Sequence, residues 1–228
     1  NFYDEATGET YKGYKEEGYL PEAFVNFLAL LGWSPSDDKE ILSLEEMAAE
    51  FDLHKVHKAG ARFSKEKAEW FNHQYLQKQS NEELLESFKN LEETKNINLS
   101  DETLLKIIGL MKERATFVKD IYTQGKFFFE APASYDEKAV KKAWNEETAS
   151  IMTELSEKLN TTEFKSEILK EEIHHFVEEK GLGFGKVMMP LRLALVGELK
   201  GPDVPDLLEI LGKEESLTRL KLAIEKIK

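Results

Sequence analysis

The sequence predicts an all-α fold, because apolar residues recur at helical spacing along almost the whole chain. Phe24, Phe27 and Leu31 follow the i, i+3, i+7 rule of an amphipathic helix. Ser43 followed by Glu46 is the capping box that opens a helix. The sequence contains no alternating pattern long enough to indicate a useful strand, and no internal repeat. Its 228 residues are enough for one large domain or two small ones.

Caps and periodicity predict five helices in the first 125 residues. They are expected over residues 21–32, 43–51, 65–77, 81–88 and 100–122. Asn81 and Ser100 are the expected N-caps of the last two helices. The last helix is expected to be long, since a single heptad-like seam of mainly apolar residues runs from Leu104 to Tyr122. Residues 1–18, rich in glycine and charge, predict an extended loop or a short hairpin.

Gly125 and the Phe-rich run that ends at Pro132 interrupt the helical pattern and predict a domain joint. Beyond it, helices are expected over residues 136–159, from Thr161 or Thr162 to Gly181, and over residues 186–197, followed by two short helices. Pro190 is tolerated as a kink, and Gly201–Pro205 is expected to be a rigid loop. The chain is therefore divided into residues 1–78, 79–125 and 126–228.

Composition excludes several function classes. A net charge of −13 argues against a generic DNA or RNA binder, whose affinity comes from neutralising phosphates. Residues 183–228 are the exception, with eight basic and seven acidic side chains. The absence of cysteine excludes disulfides and thiolate metal sites and fits the cytoplasm. We expect no membrane span, because the longest apolar run, Phe27–Leu31, is far too short. We expect no signal peptide, because the first residues show no basic region followed by an apolar stretch.

The chain has 27 lysines but four arginines, whose planar forks suit bidentate recognition. Arg219 has Glu215 four residues before it, and Arg62 has Glu66 four residues after it. Such pairs predict ordinary surface salt bridges. The other two arginines are expected to behave differently.

Arg114 and Arg192 have only apolar neighbours at three and four positions, so a helix places each beside an apolar stripe. A cation there must snorkel, pair with a distant acid or meet a partner. With 44 acidic residues in the chain, spacing alone favours a structural ion pair.

No catalytic or metal-binding residue is expected. His54 and His57 are three residues apart, but a zinc site needs about four ligands and no H-E-x-x-H sequence occurs. The adjacent glutamate pairs lie among lysines, as on a solvated helix face. GLGFGK (Gly181–Lys186) lacks the strand–turn–helix setting of a phosphate loop, so a helix end and turn explain it.

Three segments carry a family resemblance. YLPEAFVNFLALLGW (Tyr19–Trp33) and GARFSKEKAEWFNHQYL (Gly60–Leu76) resemble the stem-contact region of bacterial-type glutamyl-tRNA synthetases, members of the class I aminoacyl-tRNA synthetases. GKVMMPLRLALVGELKGPDVPDLLEILGKEESLTRL (Gly185–Leu220) resembles their anticodon-binding end. The matches keep the family's order and span nearly the whole chain.

The resemblance assigns tRNA contacts. In KIIGLMKERATFV (Lys106–Val118), Arg114 matches the arginine that reads the third anticodon base, and in PLRLALVG, Arg192 matches an arginine beside the anticodon loop. Guanidinium groups commonly stack on, and bond to, splayed RNA bases. The other residues implied to bind tRNA are Lys186, Met189, Gly201, Pro202, Val204 and Asn72, and His73 is expected to face the acceptor arm beside Asn72.

This chain departs from the family pattern at the anticodon-binding end. A hydroxyl residue is frequent in the family where this chain has Gly201, and a glutamine where it has Met189. Gly then Leu are frequent where it has Asp203 and Val204. These changes leave open a relaxed discrimination that also accepts a glutamine tRNA.

The resemblance implies an all-α, monomeric tRNA-recognition portion of a cytoplasmic glutamate–tRNA ligase: a stem-contact region, a connecting subdomain and an anticodon-binding bundle. Its partner is glutamate tRNA, not DNA or a membrane. The whole enzyme uses ATP and Mg²⁺, but the HIGH-like and KLSKR-like signatures are absent. We therefore expect this chain to need no cofactor and to be inactive alone. The alternative is a helical protein–protein interaction module that does not bind RNA.

Overall fold

The computed structural model describes residues 2–4, 8–58 and 60–227, and these residues are mainly helical, as predicted. In chain order the helices are α1 Tyr14–Glu17, α2 Pro21–Gly32, α3 Leu44–Glu50, α4 Lys65–Lys78, α5 Asn81–Lys89, α6 Asp101–Met111, α7 Val118–Gln124, α8 Glu137–Ala143, α9 Thr148–Thr161, α10 Ser166–Glu179, α11 Phe184–Val196 and α12 Val204–Lys226. Short 3-10 turns occur at Leu53–Lys55, Glu92–Thr94, Lys112–Arg114 and Lys126–Phe128. The chain is thus all-α apart from its first residues.

Those first residues form the short hairpin that was one of the two expectations for the lead-in. Strands β1 (Phe2–Asp4) and β2 (Glu9–Tyr11) are antiparallel, with Tyr3 opposite Thr10. Residue 1 and residues 5–7 of the lead-in lie outside the described residues.

The chain divides into two compact units, Asn1–Gln124 (unit 1) and Gly125–Lys228 (unit 2). Unit 1 contains the 1–78 range and all but the last residue of the 79–125 range that the sequence distinguished. In unit 1, α2 packs on α4 around an aromatic core in which the rings of Phe27 and Phe71 lie 5.9 Å apart. Burying each such side chain contributes about 1.5–3 kcal/mol.

Local capping explains where several helices begin. The capping box predicted at Ser43 is present, with the Glu46 amide donating to the Ser43 hydroxyl. A second box opens α5, but its N-cap is Ser80, one residue before the expected Asn81. Ser100 caps α6 as predicted, accepting from the Thr103 amide.

The prediction of one long helix over residues 100–122 is wrong. α6 ends at Met111, and Ala115 is extended after the 3-10 turn. The Asp120 carboxylate accepts from the amides of Thr116 and Phe117 at 3.0 and 2.9 Å, and α7 begins just beyond them. A short acidic side chain that bonds nearby amides offers the backbone an alternative to the helix, which the apolar seam did not reveal.

The prediction of one long helix over residues 136–159 is also wrong. α8 ends at Ala143 and Trp144 is extended. Asn145 Oδ1 then accepts from the amides of Glu147 and Thr148 at 3.0 and 3.1 Å, so that α9 begins at Thr148. Again a short polar side chain competes with the helical hydrogen bonds.

In unit 2, α11 packs against α8, α9 and α12, and α12 also packs against α9 and α10. α11 is apolar on most sides, which explains its burial, and the helix continues through the internal Pro190. Thr161 ends α9, so the expected helix start at Thr161 or Thr162 is wrong, and α10 begins at Ser166. Gly212 breaks α12 into the two short segments predicted for the end of the chain.

Candidate nucleic-acid interface

Arg114 lies on an exposed turn of unit 1. It is the last residue of the 3-10 turn Lys112–Arg114, and its side chain is exposed. Because α6 has already ended, the residues after Arg114 do not share a helix face with it. The expected position at the edge of a continuous apolar stripe is therefore corrected to a position on a turn.

Asn72 is a positioning residue rather than a surface contact. Its side chain is 0% exposed, with Oδ1 accepting from the Leu20 amide at 2.7 Å and Nδ2 donating to the Thr116 carbonyl at 2.6 Å. The expectation that Asn72 faces an acceptor arm is therefore wrong. An amide serves here because it donates and accepts at once. It fixes the segment that follows Arg114.

Two further side chains of α4 hold the same turn. His73 Nδ1 donates to the Ala115 carbonyl at 2.9 Å, and Gln77 Nε2 donates to the Lys112 carbonyl at 2.6 Å. His73 is thus also turned towards the backbone, which differs from its expected role. Together these bonds fix the backbone on both sides of Arg114, so its side chain starts from a preorganised turn.

In unit 2, Arg192 contacts the loop that joins α11 to α12. The side chain is half-buried, and Nη1 donates to the Pro202 carbonyl. At the far end of the loop, Asp203 Oδ1 accepts from the Val204 amide at 3.0 Å and caps α12. The charge of Asp203, a departure from the family pattern, therefore has a structural role at a helix N-terminus.

Gly201 has a backbone conformation that suits glycine. Its φ is +152°, and a Cβ added there would lie 3.1 Å from Arg192 Nη1. Space and backbone both disfavour the hydroxyl residue that the family often carries. Gly201 thus lets the guanidinium approach the loop closely.

The remaining sites expected on this loop are not side-chain contacts. Pro202 is buried and Val204 is 0% exposed, so their side chains face the core of unit 2. We correct both to residues that shape the backbone. Lys186 is exposed and Met189 is half-buried, both on α11, the helix of Arg192.

Arg219 is a residue whose role the sequence pattern missed. The predicted pair with Glu215 is present, with Nε to Oε1 at 2.7 Å, but the arginine is only 2% exposed, so its placement on the surface is wrong. Nη1 also donates to the carbonyls of Phe127 and Leu195 at 2.6 and 2.9 Å. The Leu195 carbonyl lies in the last turn of α11, where carbonyls lack helical partners. Arg219 therefore clamps unit 2 internally.

The expected pair between Arg62 and Glu66 is wrong. Arg62 lies before α4 begins, and it forms no ion pair with the described residues. Glu66 instead accepts from the Ser64 hydroxyl at 2.9 Å. The helical spacing rule does not apply across the start of a helix.

Other kinds of site find no support in the described part of the chain. No group of three or more His, Asp or Glu side chains there is placed to hold a metal ion. Nor does any helix of those residues combine the length and apolarity that crossing a membrane requires.

Comparison with known proteins gives two family matches. The family described as "Anticodon binding domain" matches residues 73–224, about two thirds of the chain. The family described as "tRNA synthetases class I (E and Q), catalytic domain" matches residues 4–70.

Similar proteins carry consistent names. A glutamate–tRNA ligase of Porphyromonas gingivalis is 47% identical, covering 97% of this chain and 44% of that protein, and one of Christiangramia forsetii is 46% identical over 99% and 45%. The crystal structure of a glutamate tRNA ligase from Elizabethkingia meningosepticum in complex with its amino acid is 67% identical, with a TM-score of 0.95, and covers 100% of this chain and 45% of that one. The Elizabethkingia anophelis enzyme is 66% identical, with a TM-score of 0.90, and covers 99% and 45%. The chain thus spans about 45% of the length of these relatives.

Proposed function

Since this chain belongs to the anticodon-binding domain family, we propose that it is the tRNA-recognising portion of a glutamate–tRNA ligase. The observation that carries the proposal is that Arg114 is an exposed residue on a turn whose backbone is fixed by side chains of α4. A cation on a rigid base loses little conformational freedom when it meets a base edge or phosphate. Such preorganisation favours base-specific recognition of a tRNA over nonspecific electrostatic binding.

We infer a division of labour along the chain. Residues 1–78 contact the tRNA stem, residues 79–125 connect and carry Arg114, and residues 126–228 contact the anticodon. Arg114 reads the third anticodon base.

In the anticodon-binding region, Arg192, Lys186 and Met189 contact the loop nucleotides from α11. The backbone at Gly201 and Pro202 adds contacts, and Val204 holds that backbone in place. Asn72 acts through Arg114 by positioning its turn.

The chemistry of the whole enzyme lies elsewhere. ATP and Mg²⁺ would serve the ligation of glutamate to tRNA in a full-length ligase, which we place in the cytoplasm as a monomer. The described residues contain no group of three or more ligands suited to a metal ion. We assign no step of the ligation to this chain and propose that it supplies tRNA binding alone.

The alternative of an RNA-free interaction module has one kind of support. Leu44, Phe51 and Leu53 of unit 1 are 62%, 52% and 77% exposed, and exposed apolar side chains suit a protein partner. The match to the anticodon-binding family argues against this alternative. Use of a glutamine tRNA as a second substrate stays open and is tested by the same assay.

The test measures binding of the 228-residue chain to a glutamate tRNA transcript and to the same transcript with its third anticodon base changed. We expect the wild-type chain to discriminate by about 1–3 kcal/mol, as a good bidentate base contact does. Arg114→Ala is expected to bind both transcripts equally. Arg62→Ala, which removes another exposed arginine of unit 1, should discriminate like wild type.

Binding of neither transcript above an unrelated RNA at moderate salt would contradict the proposal and favour the interaction module. Equal binding of a glutamine tRNA would show relaxed selection.

A further inference from the structure

The helix that carries Arg192, α11, also borders a cleft with a volume of ≈ 230 Å³. The end of α8, the connection to α9, the start of α9 and the first half of α11 form its walls. The lining residues are Lys141, Lys142, Ala143, Trp144, Asn145, Glu147, Thr148, Ile151, Gly185, Lys186 and Met189. We name this feature the Trp144 cleft. Lys186 and Met189 already belong to the proposed tRNA contacts, whereas the residues of α8 and its connection have no assigned role.

Trp144 differs from the other two tryptophans of the chain. The ring of Trp33 packs on Phe51 with centroids 5.9 Å apart, and that of Trp70 packs on Phe71 at 5.0 Å. Trp144 has no aromatic ring partner among the described residues, and it is half-buried in the wall of the cleft. The cleft is therefore lined by an aromatic side chain that no other ring of the described residues occupies.

The break between α8 and α9 holds this tryptophan in place. Its amide donates to the Val140 carbonyl at 2.8 Å, which closes the last turn of α8. The next residue, Asn145, accepts from the Thr148 hydroxyl at 2.9 Å in addition to its bonds to the α9 amides. The backbone at Trp144 is thus fixed between the end of α8 and the Asn145 turn, so that binding there requires little new ordering of the backbone.

The charge around the cleft is opposite to that of the chain as a whole. Lys141, Lys142 and Lys186 line it, against the single carboxylate of Glu147. None of the three lysines forms an ion pair with a described residue. In a chain with a net charge of −13, three such lysines around one aromatic face point to an anionic ligand that carries a ring.

The size of the cleft limits that ligand. Clefts that enclose a drug-sized molecule measure about 300–1,000 Å³, so this one fits a single planar ring system. Gly185 adds no side chain to its wall, and a Cβ there would lie 3.6 Å from Met189 Cε. Ile151 and Met189 also line the cleft and supply apolar surface.

We propose that the Trp144 cleft binds one unstacked nucleobase of a single-stranded RNA loop, with the base stacked on the Trp144 indole and the flanking phosphates held by Lys141, Lys142 and Lys186. The inference rests on the proposed function and assigns it a further contact. Every base has a π-face, so stacking tolerates any sequence. The cleft therefore contributes affinity, whereas discrimination between tRNAs stays with Arg114.

This difference separates the two proposals in one experiment. The 228-residue chain is titrated with the glutamate tRNA transcript and with its third-base variant at several salt concentrations. Trp144→Leu is expected to weaken binding of both transcripts by the same factor, about 5- to 150-fold, leaving their ratio unchanged. Trp144→Phe keeps a ring and should lose less.

The lysines have a matched control on the same helix. Lys142→Gln is expected to lower the slope of log K against log salt by about 0.7, the value for one phosphate contact on a single strand. Lys138→Gln changes an exposed lysine of α8 outside the cleft and should keep the wild-type slope. Thermal unfolding of each variant separates lost contacts from lost folding. If Trp144→Leu does not fold, the affinity of Trp144→Phe and the salt slope of Lys142→Gln test the proposal in its place.

A direct readout places 2-aminopurine singly at each anticodon-loop position. One position is expected to lose emission on binding wild type and to keep it on binding Trp144→Leu. Folded Trp144 and Lys142 variants that bind within twofold of wild type, with no responding position, would overturn the cleft proposal while Arg114 discrimination stands. If wild type binds neither transcript, the proposed function fails and the cleft proposal fails with it.

Discussion

The two units hold their irregular segments with different chemistry. Unit 1 uses neutral amides, since Asn26 and Asn72 are both 0% exposed and both bond to backbone groups of distant segments. Unit 2 uses a guanidinium, because Arg219 is 2% exposed and bonds to two carbonyls. Burying a charge costs far more desolvation than burying an amide, so the choice needs a physical reason.

The reason lies in which backbone groups each segment leaves unpaired. The Leu20 amide and the Thr116 carbonyl both need a partner in unit 1, and an amide side chain can serve a donor and an acceptor together. In unit 2 the groups are carbonyls, one of them at the C-terminal end of α11, where the helix dipole favours a cation. A donor-only guanidinium matches a set of acceptors.

The largest effect is expected from Arg219→Met in unit 2. The substitution keeps much of the volume but leaves the buried carbonyls of Phe127 and Leu195 without their donor, which should lower the free energy of unfolding by about 2–5 kcal/mol, or about 1–3 kcal/mol for each carbonyl. Urea unfolding monitored by circular dichroism measures it. Arg62→Met is the control, with an expected change within about 0.5 kcal/mol. If the free energy of unfolding falls by less than about 1 kcal/mol in Arg219→Met, water must donate to the two carbonyls in place of the guanidinium.

A smaller effect is expected from Asn26→Ala in unit 1. Asn26 Oδ1 accepts from the Leu42 amide at 2.9 Å and from the Tyr75 hydroxyl at 2.9 Å. Its removal leaves a buried neutral amide unpaired, which should cost about 1–3 kcal/mol in the free energy of unfolding. The exposed Asn98→Ala is the control. If Asn26→Ala lowers the free energy of unfolding as much as Arg219→Met does, the expected difference between a buried neutral amide and a buried guanidinium is contradicted.

A still smaller effect is expected from Gly201→Ser, which tests the half-buried clamp of Arg192. The new Cβ would lie 3.1 Å from Arg192 Nη1 at a φ of +152°, so we expect a loss of about 1–2 kcal/mol in the free energy of unfolding. Gly183→Ser is the control, because a Cβ there meets no atom within 4 Å and a helix N-cap favours serine. Unchanged stability in Gly201→Ser would show that the loop adapts.

The smallest effect at neutral pH is expected from Tyr19→Phe in unit 1. The Tyr19 hydroxyl is buried without a hydrogen-bond partner among the described residues, so its loss should change the free energy of unfolding by less than about 1 kcal/mol at pH 7. Burial, aided by the nearby Glu69, raises the pKa of Tyr19 to about 12.

The effect of Tyr19→Phe grows in alkali. The folded chain keeps the Tyr19 proton when the unfolded chain has lost it, so stability falls as the pH rises from about 10 to 12. Tyr19→Phe should reduce that fall, measured as urea midpoints from pH 7 to 11. Some fall should remain, because burial also raises the pKa of Tyr75. A fall as steep as that of wild type would contradict the assignment to Tyr19.

The sequence by itself determined the all-α class, the caps at Ser43 and Ser100, and the position of α11 with its tolerated proline. These features depend on hydrogen bonds and apolar spacing within about four residues, which the order of the chain displays directly. It also located the arginine of each unit that we propose for tRNA recognition, through a family resemblance carried by short contiguous segments.

Only the tertiary structure decided which polar side chains are buried. Asn72 turned inwards because its partners lie 52 and 44 residues away, and Arg219 because one of its carbonyls lies 92 residues away. The lengths of α6 and α8 likewise escaped the apolar pattern, since Asp120 and Asn145 cap short turns instead of continuing a helix. A buried polar group is assigned its role by the unpaired backbone groups that packing brings to it, and spacing along the chain does not reveal those groups.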